Sequence, residues 1–461
     1  MSAWAAVIMA AGQGTRMRSR LPKVAHPLAG RPVVRHVVEA VRAAGVDRIV
    51  AVVPEGADGD VVRAACGDAV AFAVQREPRG TAHAVECARE AAGDADNILI
   101  MNGDVPLVLT GTLRRLMAAL DDGADLAVLS AIVPVESYGF LEIEDGRVRR
   151  IVETKGAGGL DRNEPRPINS GQYAARAATL WSRLAHVTPA PNGERYLTAL
   201  AALAWDAGAP AVVVYAQEPA EVRGINDRLQ LAEAEATVRD RVRRAHMLAG
   251  VTIADPPTTY IDAGVRIAPD TRIEPQTHLL GQTEIGADCV IGPGAFVRDA
   301  RIGDRCVVRY SMVEESTLES DVEMGPWSHL RPGSYICEGV HIGNFGEVKA
   351  SRLGRNTKMG HFSYVGDADV GDDVNIGAGT ITANYDGAAK HRTEIGDGAF
   401  IGSDTMLVAP VRVGRNAGTS AGSVVNRDVP DGMMAIGAPA RIRPKQDGAD
   451  APAKEESGPG Q

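Results

Sequence analysis

The sequence predicts an α/β chain in two parts, a mostly parallel sheet covered by helices and then a triangular coil of short parallel strands. In the first half, short apolar runs alternate with amphipathic helical segments. In the second half, aliphatic residues recur every six positions, a period that suits neither a helix nor a simple strand. With 461 residues, 45% hydrophobic and 23% charged, the chain is long enough for two or three folded domains and is neither disordered nor fibrous.

The apolar runs of the first half predict buried strands, and the segments between them predict helices. The predicted strands are Ala5–Met9, Arg48–Val53, Ala71–Val74, Asn97–Met101 and Leu126–Ile132, and two predicted helices are Pro32–Ala44 and Thr81–Ala92. Repeated alternation of strand and helix indicates a parallel sheet with helices on both faces, as in Rossmann-like domains. We expect this domain to cover residues 1–227.

A segment rich in Glu, Arg and Ala follows, at 228–248, and predicts an exposed helix within a linker at 228–250. Its basic stretch, Arg239–Arg244, is typical of a solvated helix face rather than of a nucleic-acid site. At the other end of the chain, residues 446–461 are rich in Asp, Glu, Pro, Gly and Ala and have no periodicity. We expect this tail to be disordered.

The six-residue period covers most of residues 251–445. Its aliphatic positions are Ile261, Ile267, Ile273, Leu279, Ile285, Ile291, Leu318, Met324, Leu330, Ile336, Ile342, Val348, Leu353, Met359, Val365, Val370, Ile376, Ile395, Ile401, Leu407 and Val413. Three units close one triangular coil, so this part predicts about ten stacked coils with the aliphatic residues inside. A sandwich or a propeller would need a period-two alternation that is absent. The insertion Thr382–Thr393 interrupts the repeat and predicts a binding surface.

Composition narrows the function classes. A net charge of −10 argues against a broad surface for nucleic acid or anionic membranes. Five cysteines without a C-x-x-C pair predict reduced thiols in a cytosolic protein. No uncharged run reaches the ~18 residues of a membrane helix. We therefore expect a cytoplasmic protein without nucleic-acid partners or membrane insertion.

A loop of small residues follows the first predicted strand. It reads Ala10-Ala11-Gly12-Gln13-Gly14, and Arg16 and Lys23 come soon after it. Small residues let backbone N–H groups approach phosphate oxygens, and the two cations add charge. The loop lacks the G-K-[ST] ending of a P-loop. Taken alone it is also typical of an ordinary tight turn.

The whole string resembles the signature of sugar-1-phosphate nucleotidyltransferases. That resemblance implies a nucleotide and sugar site formed by Ala10, Ala11, Gly12, Lys23, Gln75, Gly80, Thr81, Asn102, Gly103, Asp104, Gly139, Glu153, Asn169 and Asn226. It also implies Mg²⁺ bound by Asp104 and Asn226. Asp104 follows a buried strand, at the edge where α/β sheets bind ligands, although an aspartate there often caps a helix. Glu153 could instead be a surface ion-pair partner.

The chemistry that the resemblance implies needs no covalent intermediate. A sugar phosphate attacks the α-phosphorus of a nucleoside triphosphate in line, and pyrophosphate leaves. Lys23 and Arg16, together with Mg²⁺, neutralise the negative charge that spreads over the phosphates.

A second set of polar residues lies in the coil. Arg331 and Lys349 are 18 positions apart, and His361 and Tyr364 follow on later coils. Stacked coils bring residues ~18 apart together. We therefore expect Glu347 to lie near Tyr364 and to orient His361.

These residues resemble the acetyltransferase half of the bifunctional N-acetylglucosamine-1-phosphate uridylyltransferase/glucosamine-1-phosphate N-acetyltransferase family. Asn375–Thr380 joined to Asn384–Gly387 is the most specific stretch. The resemblance implies a left-handed parallel β-helix, His361 as the general base, and Arg331, Lys349, Tyr364 and Asn375 as the sugar-phosphate site. It implies an acetyl-CoA site lined by Ala378, Asn384, Tyr385, Ser403, Ala421 and Ala438.

The family's reactions use acetyl-CoA, glucosamine-1-phosphate and UTP, in a homotrimer, and its product feeds peptidoglycan synthesis. Three residues depart from its pattern: Gln13 replaces a basic residue, Pro78 a base-reading glutamine, and Ala438 an arginine that contacts coenzyme A. Two alternatives stay open at this point. The coil could serve only as a scaffold, or the chain could be a non-catalytic assembly subunit.

Overall fold

The computed structural model describes residues 2–135, 138–153, 161 and 163–444. The chain separates into two compact units, residues 1–238 and 239–461. The predicted disordered tail, 446–461, lies outside the described residues.

The first unit is built on a nine-stranded sheet with the strand order β5-β4-β1-β6-β12-β7-β13-β10-β9. The strands of this unit are β1 (Trp4–Met9), β2 (Pro27–Leu28), β3 (Arg31–Pro32), β4 (Arg48–Pro54), β5 (Ala71–Gln75), β6 (Asn97–Asn102), β7 (Leu126–Ser130), β8 (Ile132–Pro134), β9 (Phe140–Glu144), β10 (Arg147–Val152), β11 (Pro165–Pro167), β12 (Tyr173–Arg176) and β13 (Ala211–Tyr215). The helices of the chain are α1 (Val33–Ala43), α2 (Ala57–Cys66), α3 (Thr81–Cys87), α4 (Arg89–Ala92), α5 (Thr110–Asp121), α6 (Ala177–Leu184), α7 (Ala199–Asp206) and α8 (Arg228–Leu248).

Strands β4, β5 and β6 run parallel to their neighbours around β1, as the sequence predicts. Strand β12 enters antiparallel between β6 and β7, and β10 is antiparallel to β13 and β9. Apolar clusters cover both faces of the sheet. The mostly parallel α/β prediction is confirmed.

One predicted strand, Leu126–Ile132, is wrong in its last two residues. Strand β7 ends at Ser130, whose hydroxyl donates to the Ile168 carbonyl at 2.8 Å. The chain then leaves the main sheet, and β8 pairs with β11 instead. Ile132 is consequently 58% exposed.

The division between the units falls within α8, a charged helix whose buried residues in the described chain are Ala234 and Val238. Its bounds match the helix that the sequence predicts.

The second unit is a parallel β-helix with three faces. The first face contains Thr252–Ile253, Arg272–Ile273, Val290–Ile291, Val307–Val308, Glu323–Met324, His341–Ile342, Lys358–Met359, Asn375–Ile376, Phe400–Ile401, Gly418–Thr419, Met433–Ile436 and Arg441–Pro444. The second face contains Tyr260–Ile261, His278–Leu280, Phe296–Arg298, Met312–Glu314, His329–Leu330, Gly346–Lys349, Ser363–Gly366, Ile381–Ala383, Met406–Val408 and Val424–Val425. The third face contains Arg266–Ile267, Glu284–Ile285, Arg301–Ile302, Thr317–Leu318, Tyr335–Ile336, Arg352–Leu353, Ala368–Val370, Thr393–Ile395 and Val411–Val413.

All the aliphatic positions of the six-residue period lie in one apolar core inside this coil, each no more than 9% exposed. The predicted coil is therefore confirmed. The break in the period after Ile291 has a structural cause, because some units contain five residues instead of six. Val297 and Ile302, for example, are successive inward residues, and the corner between them turns through Asp299 at φ 49°.

Candidate active sites

Four polar residues converge in the first unit. The Lys23 ammonium donates to Asp104 Oδ2 and, at 3.2 Å, to Asn226 Oδ1. Arg16 Nη2 donates to the same Asn226 oxygen at 2.9 Å. The structure thus joins residues that are far apart in the sequence into one cluster of two cations and two oxygen donors.

The fold explains this convergence. Strands β1 and β6 are parallel neighbours with Met9 opposite Asn102, so the loops that follow them lie side by side. The Gly103 N–H donates to the Met9 carbonyl at 2.9 Å. Gly14 has φ 60°, and a Cβ there would lie 2.6 Å from Lys23 Cβ, so glycine lets Lys23 come close.

A cavity of about 260 Å³ lies beside the cluster. Its predicted lining residues are Ala10, Ala11, Gly12, Lys23, Gln75, Gly80, Thr81, Asn102 and Asp104. The two departing residues, Gln13 and Pro78, also line it. Arg16 and Gly103 do not line this cavity. Gly103 contacts Met9, which does line it, and Arg16 contacts Asn226, which lines the second cavity described next.

A second cavity, of about 250 Å³, shares Thr81, Asn102 and Asp104 with the first. Its lining includes the four remaining predicted residues of this site, Gly139, Glu153, Asn169 and Asn226. The Asn169 N–H donates to the Gly139 carbonyl at 2.7 Å. The two cavities form one cleft with the charged cluster where they meet.

The buried side chain of Tyr173 holds the Asn169 side chain in place. Its hydroxyl donates to Asn169 Oδ1 at 2.9 Å, and its ring is 1% exposed. Burial raises the pKa of Tyr173, so the hydroxyl stays a donor. The amide nitrogen of Asn169 is therefore the group left to face a ligand.

The two alternatives for the acidic residues are resolved by their contacts. Asp104 is not a helix cap, because α5 begins later, at Thr110, and the carboxylate contacts Lys23. Glu153 lines the cavity and forms no ion pair with the described residues.

The oxygen donors suit a magnesium ion. Asp104 and Asn226 offer a carboxylate and an amide oxygen that already share one ammonium, and Mg²⁺ favours few protein oxygens together with phosphate and water. Within the described residues, no group of three or more His, Cys, Asp or Glu could hold a metal ion. The residues present thus fit a metal that is held jointly by protein and substrate.

In the second unit, Arg331 and Lys349 follow successive strands of the second face, where the Arg331 N–H donates to the Val348 carbonyl. Glu347 is opposite Tyr364, as predicted. Its carboxylate does not orient His361, however. It accepts from Arg331 Nη1 at 3.0 Å instead.

The insertion brings a further cation to this site. Lys349 Nζ lies 3.8 Å from Asp367 Oδ2, and Asn384 Nδ2 donates to the same oxygen. Lys390 belongs to the insertion, and the Lys349 ammonium beside it lowers the pKa of Lys390. Arg331 and Lys349 thus stand at the carboxyl ends of two neighbouring strands of the second face, and Lys390 of the insertion lies beside Lys349.

His361 lies at the corner between the first and second faces. It is exposed and makes no hydrogen bond with the described residues. Asn375 is on the first face, opposite Lys358 and Phe400. A single chain therefore brings Arg331, Lys349 and Tyr364 together on one face and leaves His361 and Asn375 towards the adjacent corner.

Four of the residues predicted for acetyl-CoA, Ala378, Ser403, Ala421 and Ala438, follow first-face strands and form a column along that corner. The other two, Asn384 and Tyr385, follow the second-face strand Ile381–Ala383 and belong to the insertion. The Asp404 N–H donates to the Ala378 carbonyl at 2.6 Å, and the Gly422 N–H donates to the Ser403 carbonyl at 2.8 Å. Ala421 and Ala438 adjoin the upper coils of the column, where the Val424 N–H donates to Gly437 at 3.1 Å. Tyr385 is 60% exposed on the insertion.

Comparison with known proteins covers nearly the whole chain. Residues 6–140 match the MobA-like NTP transferase domain, 264–299 match the bacterial transferase hexapeptide (six repeats), and 392–427 match the hexapeptide repeat of succinyl-transferase. The chain is 47% identical to bifunctional protein GlmU of Brevibacillus brevis, over 95% of each chain. It is 46% identical to GlmU of Pelobacter propionicus, over 94% of this chain and 95% of the other.

The chain belongs to the bifunctional GlmU family. GlmU of Heliobacterium modesticaldum, 45% identical over 94% of both chains, agrees with this. The hexapeptide matches identify the coil as a left-handed parallel β-helix, as expected.

Two residues of this GlmU chain's candidate sites escaped the sequence reasoning. Tyr196 lines both cavities of the cleft, and Lys390 lies beside Lys349. Lys390 could have been found, because it is the one lysine in an insertion already predicted to bind ligands. Tyr196 carries no such signal.

Tyr196 is held against the cleft by its neighbour. The Arg195 N–H donates to the Arg79 carbonyl at 2.9 Å, and its guanidinium contacts Glu86 at 2.6 Å. The Leu197 N–H donates to Thr81 Oγ1 at 2.9 Å. These contacts join a loop to α3, and only the folded chain shows them.

Among the described residues, no helix has the length and apolarity needed to cross a membrane.

Proposed function

We propose that this chain synthesises UDP-N-acetylglucosamine in two steps. Acetyl transfer from acetyl-CoA to glucosamine-1-phosphate comes first, and uridylyl transfer from UTP to N-acetylglucosamine-1-phosphate follows. The observation that carries this proposal is that both units of one GlmU-family chain hold a cluster of cations suited to phosphate, beside the cleft and on the second face.

We assign uridylyl transfer to residues 1–227 and acetyl transfer to 251–445, with 228–250 as the linker. In the first reaction the sugar phosphate oxygen attacks the α-phosphorus of UTP, and pyrophosphate leaves. Lys23 and Arg16 stabilise the charge that spreads over the phosphate oxygens, since both cations face the cleft cluster. Asp104 and Asn226 hold Mg²⁺, which supplies further charge neutralisation when it is bound.

The two cavities suit the two halves of the product. Gln75, Gly80 and Thr81 line the nucleotide cavity, where we assign base recognition. Ala10, Ala11, Gly12, Asn102 and Gly103 belong to the two loops beside the phosphates. Gly139, Glu153 and Asn169 line the sugar cavity, where Glu153 accepts from a sugar hydroxyl and the Asn169 amide nitrogen donates.

In the acetyl-transfer reaction, His361 accepts a proton from the substrate ammonium. The free amine then attacks the thioester carbonyl, the C–S bond breaks as the amide bond forms, and the leaving coenzyme A thiolate takes up the proton that the amine nitrogen loses. Arg331, Lys349, Tyr364 and Asn375 hold the sugar phosphate, and we add Lys390 to this set. The column of Ala378, Ser403, Ala421 and Ala438 binds acetyl-CoA together with Asn384 and Tyr385 of the insertion.

We further propose that the chain is a homotrimer. The second face carries four exposed large apolar side chains, Tyr260 at 41%, Met312 at 40%, Ile381 at 38% and Val408 at 37%, beside ion pairs such as Arg298 with Glu314. Exposed apolar faces favour association. A partner coil packed there would also approach the exposed His361. Solution scattering or sedimentation should give about three times the 48.4 kDa chain mass.

Five free cysteines among the described residues support a location in the reducing cytoplasm.

A coupled assay tests the two activities separately. With UTP, acetyl-CoA, glucosamine-1-phosphate and Mg²⁺, we expect release of both the coenzyme A thiol and pyrophosphate. If N-acetylglucosamine-1-phosphate is supplied and pyrophosphate is released, but no thiol is released from acetyl-CoA, the coil is only a scaffold. If neither the thiol nor pyrophosphate is released, the chain is a non-catalytic subunit.

A further inference from the structure

The Gln75 side chain is fixed by two hydrogen bonds at the edge of the nucleotide cavity. Gln75 ends β5 and is 8% exposed. Its Nε2 donates to the Gly80 carbonyl at 3.1 Å and to His83 Nδ1 at 3.2 Å. A carbonyl can only accept, so the amide nitrogen, and not the oxygen, must face Gly80. Both amide protons are therefore used within the protein.

His83 is held in the matching tautomer by its own neighbour. For Nδ1 to accept, the ring must be neutral with its proton on Nε2. That nitrogen lies 3.7 Å from Cys87 Sγ, one turn further along α3, and the sulfur is an acceptor of suitable length. Gln75, His83 and Cys87 thus form a directed chain of hydrogen bonds.

The consequence is a fixed acceptor in the cavity. Gln75 Oε1 accepts no hydrogen bond from the described residues, and it is the polar atom of this side chain left for a ligand. Pro78, which also lines the cavity, has no side-chain donor or acceptor. A uracil base has a ring N3–H that can donate to such an oxygen. The N3 of cytosine is itself an acceptor and would face Oε1 without a proton between them.

We propose that His83 is a positioning residue that holds the Gln75 amide with its oxygen towards the nucleotide, and that it thereby favours a base with a ring N–H over cytosine. This inference rests on the proposed uridylyl transfer. It assigns base selectivity partly to a helix residue behind the cavity. The Gly80 carbonyl accepts only one of the two amide protons of Gln75. His83 accepts the other and so completes the restraint on the Gln75 side chain.

Two substitutions at His83 separate positioning from structure. In His83→Asn, Oδ1 replaces Nδ1 as the acceptor for Gln75. In His83→Gln, the longer side chain places its amide near the position of Nε2, so no acceptor replaces Nδ1. We expect His83→Gln to raise KM for UTP about 3- to 10-fold, with kcat within twofold, and to lower the UTP-to-CTP ratio of kcat/KM by a similar factor. His83→Asn should keep both quantities within twofold of the parent chain.

His186→Gln is the matched control, because His186 is a hydrogen-bonded histidine that lines neither cavity of the cleft. Melting temperatures show whether each variant folds. If His83→Gln does not fold, Cys87→Ala tests the same restraint, because it removes the sulfur that fixes the His83 tautomer. We expect a smaller rise in KM for Cys87→Ala. Unchanged KM and base ratio in a folded His83→Gln, or equal loss in His83→Asn, would overturn the inference. Absence of pyrophosphate release by the parent chain would instead overturn the proposed function.

Discussion

The Tyr364 ring lies directly over Gly366, two residues further along the same strand of the second face. A Cβ on Gly366 would lie 2.5 Å from Tyr364 Cζ, closer than such atoms can approach. The backbone of Gly366 is itself fixed, because its N–H donates to Thr382 Oγ1 at 2.8 Å. The absence of a side chain at 366 therefore sets where the Tyr364 hydroxyl can stand.

We predict that Gly366→Ala displaces Tyr364 and weakens sugar-phosphate binding. One hydrogen bond to a charged phosphate is lost, so KM for glucosamine-1-phosphate should rise about 10-fold in the acetyl-transfer assay. Tyr364→Phe should give a similar rise, because it removes the hydroxyl alone. Uridylyl transfer serves as the internal control and should not change. A Gly366→Ala enzyme with the parent KM would show that Tyr364 does not contact the phosphate.

His361 is expected to carry the acetyl-transfer chemistry. Replacing it with Ala removes the proposed general base, and kcat should fall about 10²- to 10⁴-fold. Thiol release from acetyl-CoA measures this loss. His341→Ala is the matched control, because His341 is half-exposed on the first face and contacts Glu323. An equal loss in the two variants would point to general damage of the coil rather than to a proton acceptor at 361.

Lys390 is predicted to bind the phosphate together with Lys349. Two ammonium groups in proximity repel each other, as the lowered pKa of Lys390 indicates, and an anion between them relieves that repulsion. Lys390→Met should raise KM for glucosamine-1-phosphate about 10-fold, and Lys390→Arg should restore most of the affinity. Glucosamine without phosphate is the sharper comparison. If Lys390→Met slows its acetylation to the same extent, Lys390 acts on something other than the phosphate.

Asp104 and Lys23 form an ion pair at the centre of the proposed uridylyl site. Asp104→Asn keeps the shape of the side chain and removes its charge, so pyrophosphate release should fall about 10²- to 10³-fold. The Mg²⁺ concentration for half-maximal activity should rise as well, because the proposed metal ligand has lost its charge. Asp122→Asn, at the end of α5, is the control for a surface carboxylate. Normal activity and normal Mg²⁺ dependence in Asp104→Asn would remove Asp104 from the metal site.

The coil can be predicted well from the sequence, because an aliphatic residue at every sixth position marks each inward-facing site. The six-residue rule fails where a unit has five residues and at the insertion Thr382–Thr393. At Asp299, Glu315 and Ala350 the corner turns through one residue with φ between 42° and 49°, and no residue type marks that choice in advance. The period could therefore be seen to break, but the inward residues Ile302, Val308 and Val313 could not be assigned from spacing alone.

The candidate sites divide in the same way. Residues after strands could be predicted, since the carboxyl ends of β1 and β6 must meet once the strands are parallel neighbours. Tyr196 could not, because its position depends on the contacts of Arg195 with Arg79 and Glu86 across a long loop. The pairing of Glu347 with Arg331 rather than His361 likewise depends on side-chain direction, which spacing does not give.

Glu221 is a buried carboxylate whose role is structural. It is 0% exposed, and it accepts from Leu109 N at 2.9 Å, Thr112 Oγ1 at 3.1 Å and Gln217 N at 2.7 Å. Four donors including Glu218 N surround it, so an amide at this position would place an N–H group against other donors. Glu221→Gln should lower the free energy of unfolding of the first unit by roughly 2–4 kcal/mol.

Urea unfolding followed by hydrogen exchange of amides in β1 and β6 measures this loss without interference from the coil. Glu90→Gln, the same substitution at an exposed position of α4, should change stability by less than about 0.5 kcal/mol. Exchange in the second unit should be the same in both variants. A Glu221→Gln protein as stable as Glu90→Gln would mean that the surrounding N–H groups find other acceptors, and that the carboxylate is not what joins Pro219–Val222 to the start of α5.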